Sequence, residues 1–255
     1  MSVPVSPQPL NDYLETGIRQ VDGWCLPQLW YALWPLAKLI GPGPMAEIGV
    51  FEGKFFIGLC KTFGTSPDNQ AVAIDVFDMQ EFNLDGAGKG KLDVFRDNLD
   101  RQGVGRDNVE CITADSLALR GPDSDDLLKR YGAFSFFSID GCHEVEHTLN
   151  DMRFAMTVTA HHGLIAVDDF TNPNWPGVEE AVARLYLFER PVFVPLLVTC
   201  NKLLLCSLSH HARYLNAIDA HFKEHYPETP RKKVRRYGYD TWTIQPDFKS
   251  WKGLF

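Results

Sequence analysis

The chain has 255 residues, 45% of them hydrophobic and 23% charged, which is ordinary usage for one globular domain with enough apolar material for a full core. Its formal net charge of −8 lacks the basic footprint of a duplex-binding protein, and no run of about 18 apolar residues is present to span a membrane. The N-terminus has neither the basic nor the apolar region of a secretory signal. The six cysteines, Cys25, Cys60, Cys111, Cys142, Cys200 and Cys206, form no CxxC pair, and several sit in apolar runs. That pattern argues against a zinc ribbon or thioredoxin-type site, and the expectation is a reduced, cytoplasmic protein.

Taken in chain order, residues 1–43 are expected to form an N-terminal helical cap. Its stretch 26–40 is rich in Trp and Leu but broken by Pro27 and Pro35, and reads as a packed helix or a partner surface. An apolar face around Trp24, Trp30 and Trp34 is compatible with a homodimer. Residues 44–209 then alternate short apolar runs with amphipathic stretches. The runs are 45–49 (MAEIG), 71–75 (AVAID), 109–113 (VECIT), 134–140 (FSFFSID) and 164–168 (LIAVD). The intervening helices are predicted at 53–63, 91–102, 124–131, 144–160 and 178–189. Short apolar runs suit strands buried on both faces. Their alternation with helices implies right-handed crossovers and a parallel sheet.

The pattern changes at 192–199 and 202–208. Only Cys200 and Asn201 separate these runs, too few residues for a parallel crossover, so they pair as an antiparallel hairpin. The predicted fold is therefore doubly wound α/β, with a mostly parallel seven-stranded sheet closed by a C-terminal hairpin. Residues 210–255 are expected to hold a helix at 210–221 and an irregular aromatic tail with Tyr237, Tyr239, Trp242 and Trp251. The basic cluster Arg231, Lys232, Lys233, Arg235 and Arg236 reads as a solvated loop. The long, Gly-containing insertion 77–91 stands where binding lids often occur.

Ligands of open α/β sheets sit beyond the carboxyl ends of the strands. The first strand ends in Glu47-Ile48-Gly49-x-x-x-Gly53. Gly49 suits a tight turn and a close approach to a ligand, and Gly53 suits a helix start with little room. Asp75 ends the second strand, where a carboxylate can accept both hydroxyls of a ribose. The third leads to Asp115 and Ser116, placed either to reach an adenine amino group or to cap a helix. The fourth ends in Asp140-Gly141-Cys142-His143 and the fifth in Asp168-Asp169. Three carboxylates on neighbouring strand ends need a cation or shared protons, and oxygen donors favour Mg²⁺, Ca²⁺ or Mn²⁺. His143 is placed to take a proton from a substrate hydroxyl. His147 reads as outward or structural, and His161 and His162 as a helix C-terminus.

These strand ends and the closing hairpin resemble class I S-adenosylmethionine-dependent methyltransferases over roughly residues 44–208. The pattern Ile139-Asp140-Gly141-x-His143, followed by Gly163-Leu164-Ile165-x-x-Asp168-Asp169-Phe170, is similar to the macrocin-type O-methyltransferase branch and, more distantly, to catechol-type enzymes. The resemblance implies that Glu47, Gly49 and Gly53 line the methionine part of the cofactor, that Asp75 holds the ribose, and that Asp115 and Ser116 lie by the adenine. It implies a divalent metal, Mg²⁺, on Asp140, Asp168 and Asp169, with His143 as general base beside catalytic Asp140. The acceptor would be a small hydroxylated molecule such as a sugar, polyol or phenol, with no nucleic acid or membrane partner. The chain departs from the pattern at Cys142, where an acid is frequent, and at Asp169, where catechol-type enzymes carry an amide. It also has Lys54 and Phe55 where small residues are usual. The residues leave open a metal-independent methyltransferase acting on nitrogen or carbon, and a noncatalytic cofactor-binding or scaffold protein of the same fold.

Overall fold

The computed structural model describes residues 8–247 and 253–254; Trp251 of the expected tail lies outside the described residues. The elements follow as α1 (Gln8–Glu15), α2 (Trp30–Ile40), β1 (Met45–Ile48), α3 (Lys54–Phe63), β2 (Ala71–Asp75) and α4 (Leu92–Arg101). Then come β3 (Val109–Thr113), α5 (Gly121–Tyr131), β4 (Phe134–Ile139), α6 (Val145–Val158), β5 (Thr159–Val167) and α7 (Pro176–Phe188). The chain closes with β6 (Phe193–Thr199), β7 (Lys202–Ser207), α8 (Leu208–His225), β8 (Arg231–Arg236) and β9 (Tyr239–Ile244).

One sheet runs in the order β3-β2-β1-β4-β5-β7-β6-β9-β8. The first five strands are parallel, and β7 pairs antiparallel with both β5 and β6. The strand order reverses at β1, where β2 lies on one side and β4 on the other, so a crevice opens beyond the carboxyl ends of β1 and β4. Strands β1, β4, β6 and β7 are buried along their whole length, which is why their sequences read as unbroken apolar runs. Met45, Ala73 and Phe136 face a core shared with α2, α3 and α8. Ala46, Val72 and Phe137 face a second core with α6 and α7. The expected doubly wound sheet and closing hairpin are thus the architecture observed.

Three expectations change. Of the packed helix or partner surface expected at 26–40 the packed helix is what forms, which removes the dimer face: Trp30 and Trp34 are buried, the Trp30 indole donates to Thr62 Oγ1 at 2.8 Å, and a Cβ on Gly58 would meet the same ring at 2.4 Å. Of the three tryptophans only Trp24 is exposed, so the apolar surface suggested for a dimer does not exist in that form. The basic cluster is not a loop but β8, hydrogen-bonded to β9 along its full length. The sheet therefore has nine strands, and the aromatic tail is ordered by β9 pairing with β6. Arg236 lies over the Phe170 ring and Lys233 over Trp242, which lets a charged strand sit at the sheet edge, where charge guards against further pairing. Finally, α6 ends at Val158 and β5 begins at Thr159, so His161 and His162 are strand residues rather than a helix end. Among the described residues no helix is long and apolar enough to cross a membrane.

Candidate active site at the strand ends

The turn after β1 builds the floor of the crevice. Gly49 has φ +82°, and a Cβ there would lie 1.9 Å from the Asp140 carbonyl oxygen. Glycine is required because the ends of β1 and β4 touch backbone to backbone. Gly53 is also left-handed, at φ +92°, and starts α3 under the Phe95 ring. Asp75 is fixed by two backbone donors: Phe51 N–H reaches Oδ2 at 2.9 Å and Phe77 N–H reaches Oδ1 at 2.7 Å. Burial raises its pKa, and these N–H groups oppose the rise. Asp115 does cap the short 3₁₀ turn at Ser116, accepting from Leu117 N–H at 3.0 Å; it also borders the crevice, so cap and pocket wall are one residue.

The crevice is half open, with a cavity volume of about 120 Å³, and is bordered by Gly49, Asp75, Asp115 and Ser116 on one side and by Asp140, Cys142 and His143 on the other. Trp24 and Phe51 stack at 5.8 Å over its mouth. The insertion after β2 contributes Phe82, Asn83, Asp85, Ala87 and Gly88 to the wall, the position expected of a lid. Two of the residues predicted to hold the cofactor do not border it, nor do Asp168 and Asp169. Gly53 shapes the helix start instead, and Glu47 is buried within the sheet at 1% exposure, where burial pushes its carboxyl up to about 8.

The acceptor side is organised around His143. Its Nδ1 is 2.6 Å from Asp85 Oδ2 and its Nε2 is 2.9 Å from Asp169 Oδ2, while the ring stacks on Trp175 at 4.3 Å. Burial disfavours charge on the ring, but the bonds to Asp169 and Asp85 outweigh it and raise the pKa to about 9. Burial likewise works against charge on Asp85, yet the His143 bonds prevail and lower it to about 2. Asp169 is lowered in the same way. In this arrangement His143 is an imidazolium clamped between carboxylates, so it can serve as a base only after one of those bonds is given up. His147 is buried rather than outward, 3.6 Å from Asp115.

The three aspartates expected to share a metal divide between two environments. Asp168 Oδ2 is bonded by the ammonium of Lys202, which also lies 3.9 Å from Asp140 Oδ2. Asp169 Oδ1 accepts from Asn172 at 2.7 Å and from Asn201 at 2.5 Å. Burial works against a charged lysine, but Asp168 and Asp140 raise the Lys202 pKa above its ordinary value, so the ammonium stays charged. Burial and the neighbouring Asp168 carboxylate both push Asp140 well up. A dication on Asp140 and Asp168 would sit about 4 Å from that ammonium, a repulsion of about 8 kcal/mol at an effective dielectric of 20. The donor atoms of Asp140, His143 and Asp169 do lie within 4.8 Å of one another. An ion there would have to break the bond between His143 Nε2 and Asp169 and bind the imidazole as a neutral ligand. Among the described residues, the donors that lie close enough together for one ion are thus Asp140, His143 and Asp169 rather than Asp140, Asp168 and Asp169.

Lys202, Asp85, Trp175, Asn172 and Asn201 were not singled out from the sequence. The one available signal was Lys202 itself, a lone charge heading the apolar run KLLLCS. A lysine there is rarely buried unless paired.

A doubly wound sheet with a glycine turn after β1, an acid after β2 and an antiparallel β7 defines the Rossmann-like methyltransferase class. In agreement, the family described as "Methyltransferase domain" matches residues 46–170, and that segment is a methyltransferase domain of the class I fold. Similar solved structures include an O-methyltransferase from Bacillus cereus in complex with S-adenosylhomocysteine (16% identity, 78% of this chain and 91% of that one, TM-score 0.53). Others are a putative O-methyltransferase from Klebsiella pneumoniae (19% identity, 80% and 91%, TM-score 0.52) and the O-methyltransferase NovP (13% identity, 79% and 78%, TM-score 0.51). At these identities the likeness is one of fold. No curated protein matches the chain by sequence.

Proposed function

We propose that the chain is an S-adenosylmethionine-dependent O-methyltransferase acting on a small hydroxylated acceptor, a sugar, polyol or phenol. The observation that carries this reading is that one crevice joins both halves of the chemistry. Gly49, Asp75, Asp115 and Ser116 border it where a nucleoside cofactor needs backbone access and hydroxyl acceptors, and Asp140 and His143 border it opposite. The donor set fits such a cofactor, because the Asp75 carboxylate stands on the crevice wall, oriented by backbone N–H groups, where it can accept from ribose hydroxyls. When bound, the cofactor supplies an electrophilic methyl group on a sulfonium.

The chain's own part is to hold the acceptor oxygen in line with that methyl and to remove its proton. An acceptor hydroxyl entering beside His143 replaces Asp169 at Nε2. One of the two bonds that keep the ring charged is then gone, its pKa falls toward the ordinary value, Nε2 releases its proton to solvent, and the free Nε2 can take the hydroxyl proton as the oxygen–methyl bond forms. Asp85 keeps Nδ1 protonated and Trp175 keeps the ring plane fixed. Asp140, on the same wall of the crevice, can hydrogen-bond the acceptor hydroxyl.

Calorimetry with S-adenosylhomocysteine tests the cofactor half. Micromolar binding is expected, weakened about tenfold or more in Asp75→Ala through loss of charge-assisted bonds. Absence of binding would sink the reading. Mass spectrometry of products from a panel of sugars, polyols and catechols then tells oxygen from nitrogen or carbon methylation, and binding without any turnover would favour the noncatalytic alternative.

A further inference from the structure

We propose that Lys202 is the resident cation of the acceptor site: its ammonium holds the Asp140 and Asp168 carboxylates where a divalent ion would otherwise be needed, so that the chain works without divalent metal. The presence of this cation is read from the geometry alone; its purpose rests on the methyltransferase reading above.

Register makes the pair obligatory. In the antiparallel β5–β7 ladder, Val167 pairs with Leu203. One step further along, Asp168 leaves β5 opposite Lys202 entering β7. The two side chains meet because the sheet brings them together, as cross-strand neighbours do. The Phe55 ring lies 4.4 Å from Nζ and closes the far side, and Lys202 is only 3% exposed. A cation so enclosed cannot be exchanged for a solvent ion without moving α3 or β7.

The turn between β6 and β7 supplies both replacements. Cys200 and Asn201 are left-handed, with φ +48° and +69°, as a two-residue hairpin turn of mirror-image type requires. That turn aims Asn201 at Asp169 Oδ1 and delivers Lys202 to Asp168. Two adjacent residues of one turn therefore occupy the two adjacent aspartates that a metal would use. The ammonium donates hydrogen bonds rather than acting as a Lewis acid, so it orders the carboxylates without acidifying a bound hydroxyl. Proton removal is left to His143. Lys202 is accordingly a positioning residue.

The test uses the full chain, with Mn²⁺ read by electron paramagnetic resonance and S-adenosylhomocysteine by calorimetry in the same samples. The wild type is expected to leave millimolar Mn²⁺ free. Lys202→Met uncovers buried carboxylates and removes a like charge, so Mn²⁺ affinity should rise about tenfold or more. Lys202→Arg keeps the charge and should bind no Mn²⁺. A role confined to packing would change stability in Lys202→Met without creating an ion site. Should that variant fail to fold, the wild-type and arginine titrations still decide. Stoichiometric Mn²⁺ binding by the wild type that Asp140→Asn abolishes overturns the proposal. Loss of the S-adenosylhomocysteine signal alone counts against the methyltransferase reading, since the Mn²⁺ titration decides the cation independently.

Discussion

His143 Nδ1 and Asp85 Oδ2 stand 2.6 Å apart, and the same Asp85 oxygen accepts from the His143 backbone N–H at 3.0 Å. Two bonds thus tie the insertion after β2 to the end of β4, which makes Asp85 both the latch of the lid and one cause of the histidine's charge. Asp85→Asn keeps an oxygen for the backbone bond but removes the charge. The His143 pKa is expected to fall from about 9 by one unit or more, and any rising limb of methyl transfer with pH should move down with it. Histidine NMR titration reads the shift directly. The linkage has a definite sign. A raised histidine pKa stabilises the fold fully below about 6.5, and that contribution is lost as pH rises through about 9. The stability difference between wild type and Asp85→Asn should therefore shrink above pH 9. An unshifted titration would show that Asp85 does not act on His143 through charge.

Gly49 and Gly41 separate strain from contact. Both have left-handed φ, +82° and +84°, but a Cβ on Gly41 meets nothing within 4 Å, whereas one on Gly49 meets the Asp140 carbonyl oxygen at 1.9 Å. Gly41→Ala should cost only the penalty of its own backbone conformation, φ +84° with ψ 178°, about 1–3 kcal/mol. Gly49→Ala adds a backbone collision that only parting β1 from β4 can relieve, and should cost at least about 2 kcal/mol more. It should also abolish S-adenosylhomocysteine binding. Thermal unfolding of the two variants side by side measures the difference; equal costs would mean that the strand ends have room to separate.

The parts of this fold that were legible are those whose signal is local. AVAID is a strand at the predicted residues because burial on both faces writes itself as a continuous apolar run. The turn Cys200–Asn201 was legible because two residues cannot cross over a sheet. The strand β8 was not, because RKKVRR carries charge on both faces; what makes it a strand is its hairpin pairing with β9 across the turn Tyr237–Gly238, together with Arg236 on the distant Phe170 ring. The candidate site divides in the same way. Strand-end residues Asp75, Asp140 and His143 follow from topology. Asp85, 58 residues from His143, and Lys202, 34 from Asp168, depend on where a loop folds back and on a cross-strand register. The identity of the cation is undetermined by sequence for the same reason: three adjacent acids show that a positive charge is needed, but not whether a lysine or a metal ion provides it.

Glu47 shows what burial without a full partner costs. It sits mid-strand in β1, between Ala73 of β2 and Ser138 of β4, at 1% exposure, with Oε1 lacking a hydrogen-bond partner. Burial moves its pKa from 4.5 to about 8, against the opposing pull of Lys202 and Ser138. A carboxyl raised on folding favours the folded state fully below its unfolded pKa, near 4.5, and that contribution is lost as pH rises through about 8. Over that window the loss is of the order of 3–5 kcal/mol, at about 1.4 kcal/mol per unit. Glu47→Gln has nearly the same shape and no charge to bury, so its stability should not fall over this range. Urea unfolding at pH 5, 6.5 and 8 should show the variant gaining on the wild type at each step. The gain should be largest at pH 8, where the wild-type carboxylate must be either protonated against the solvent or buried as an ion. A constant difference across the three pH values would mean that Glu47 is already charged in the fold, with Lys202 as its compensating cation.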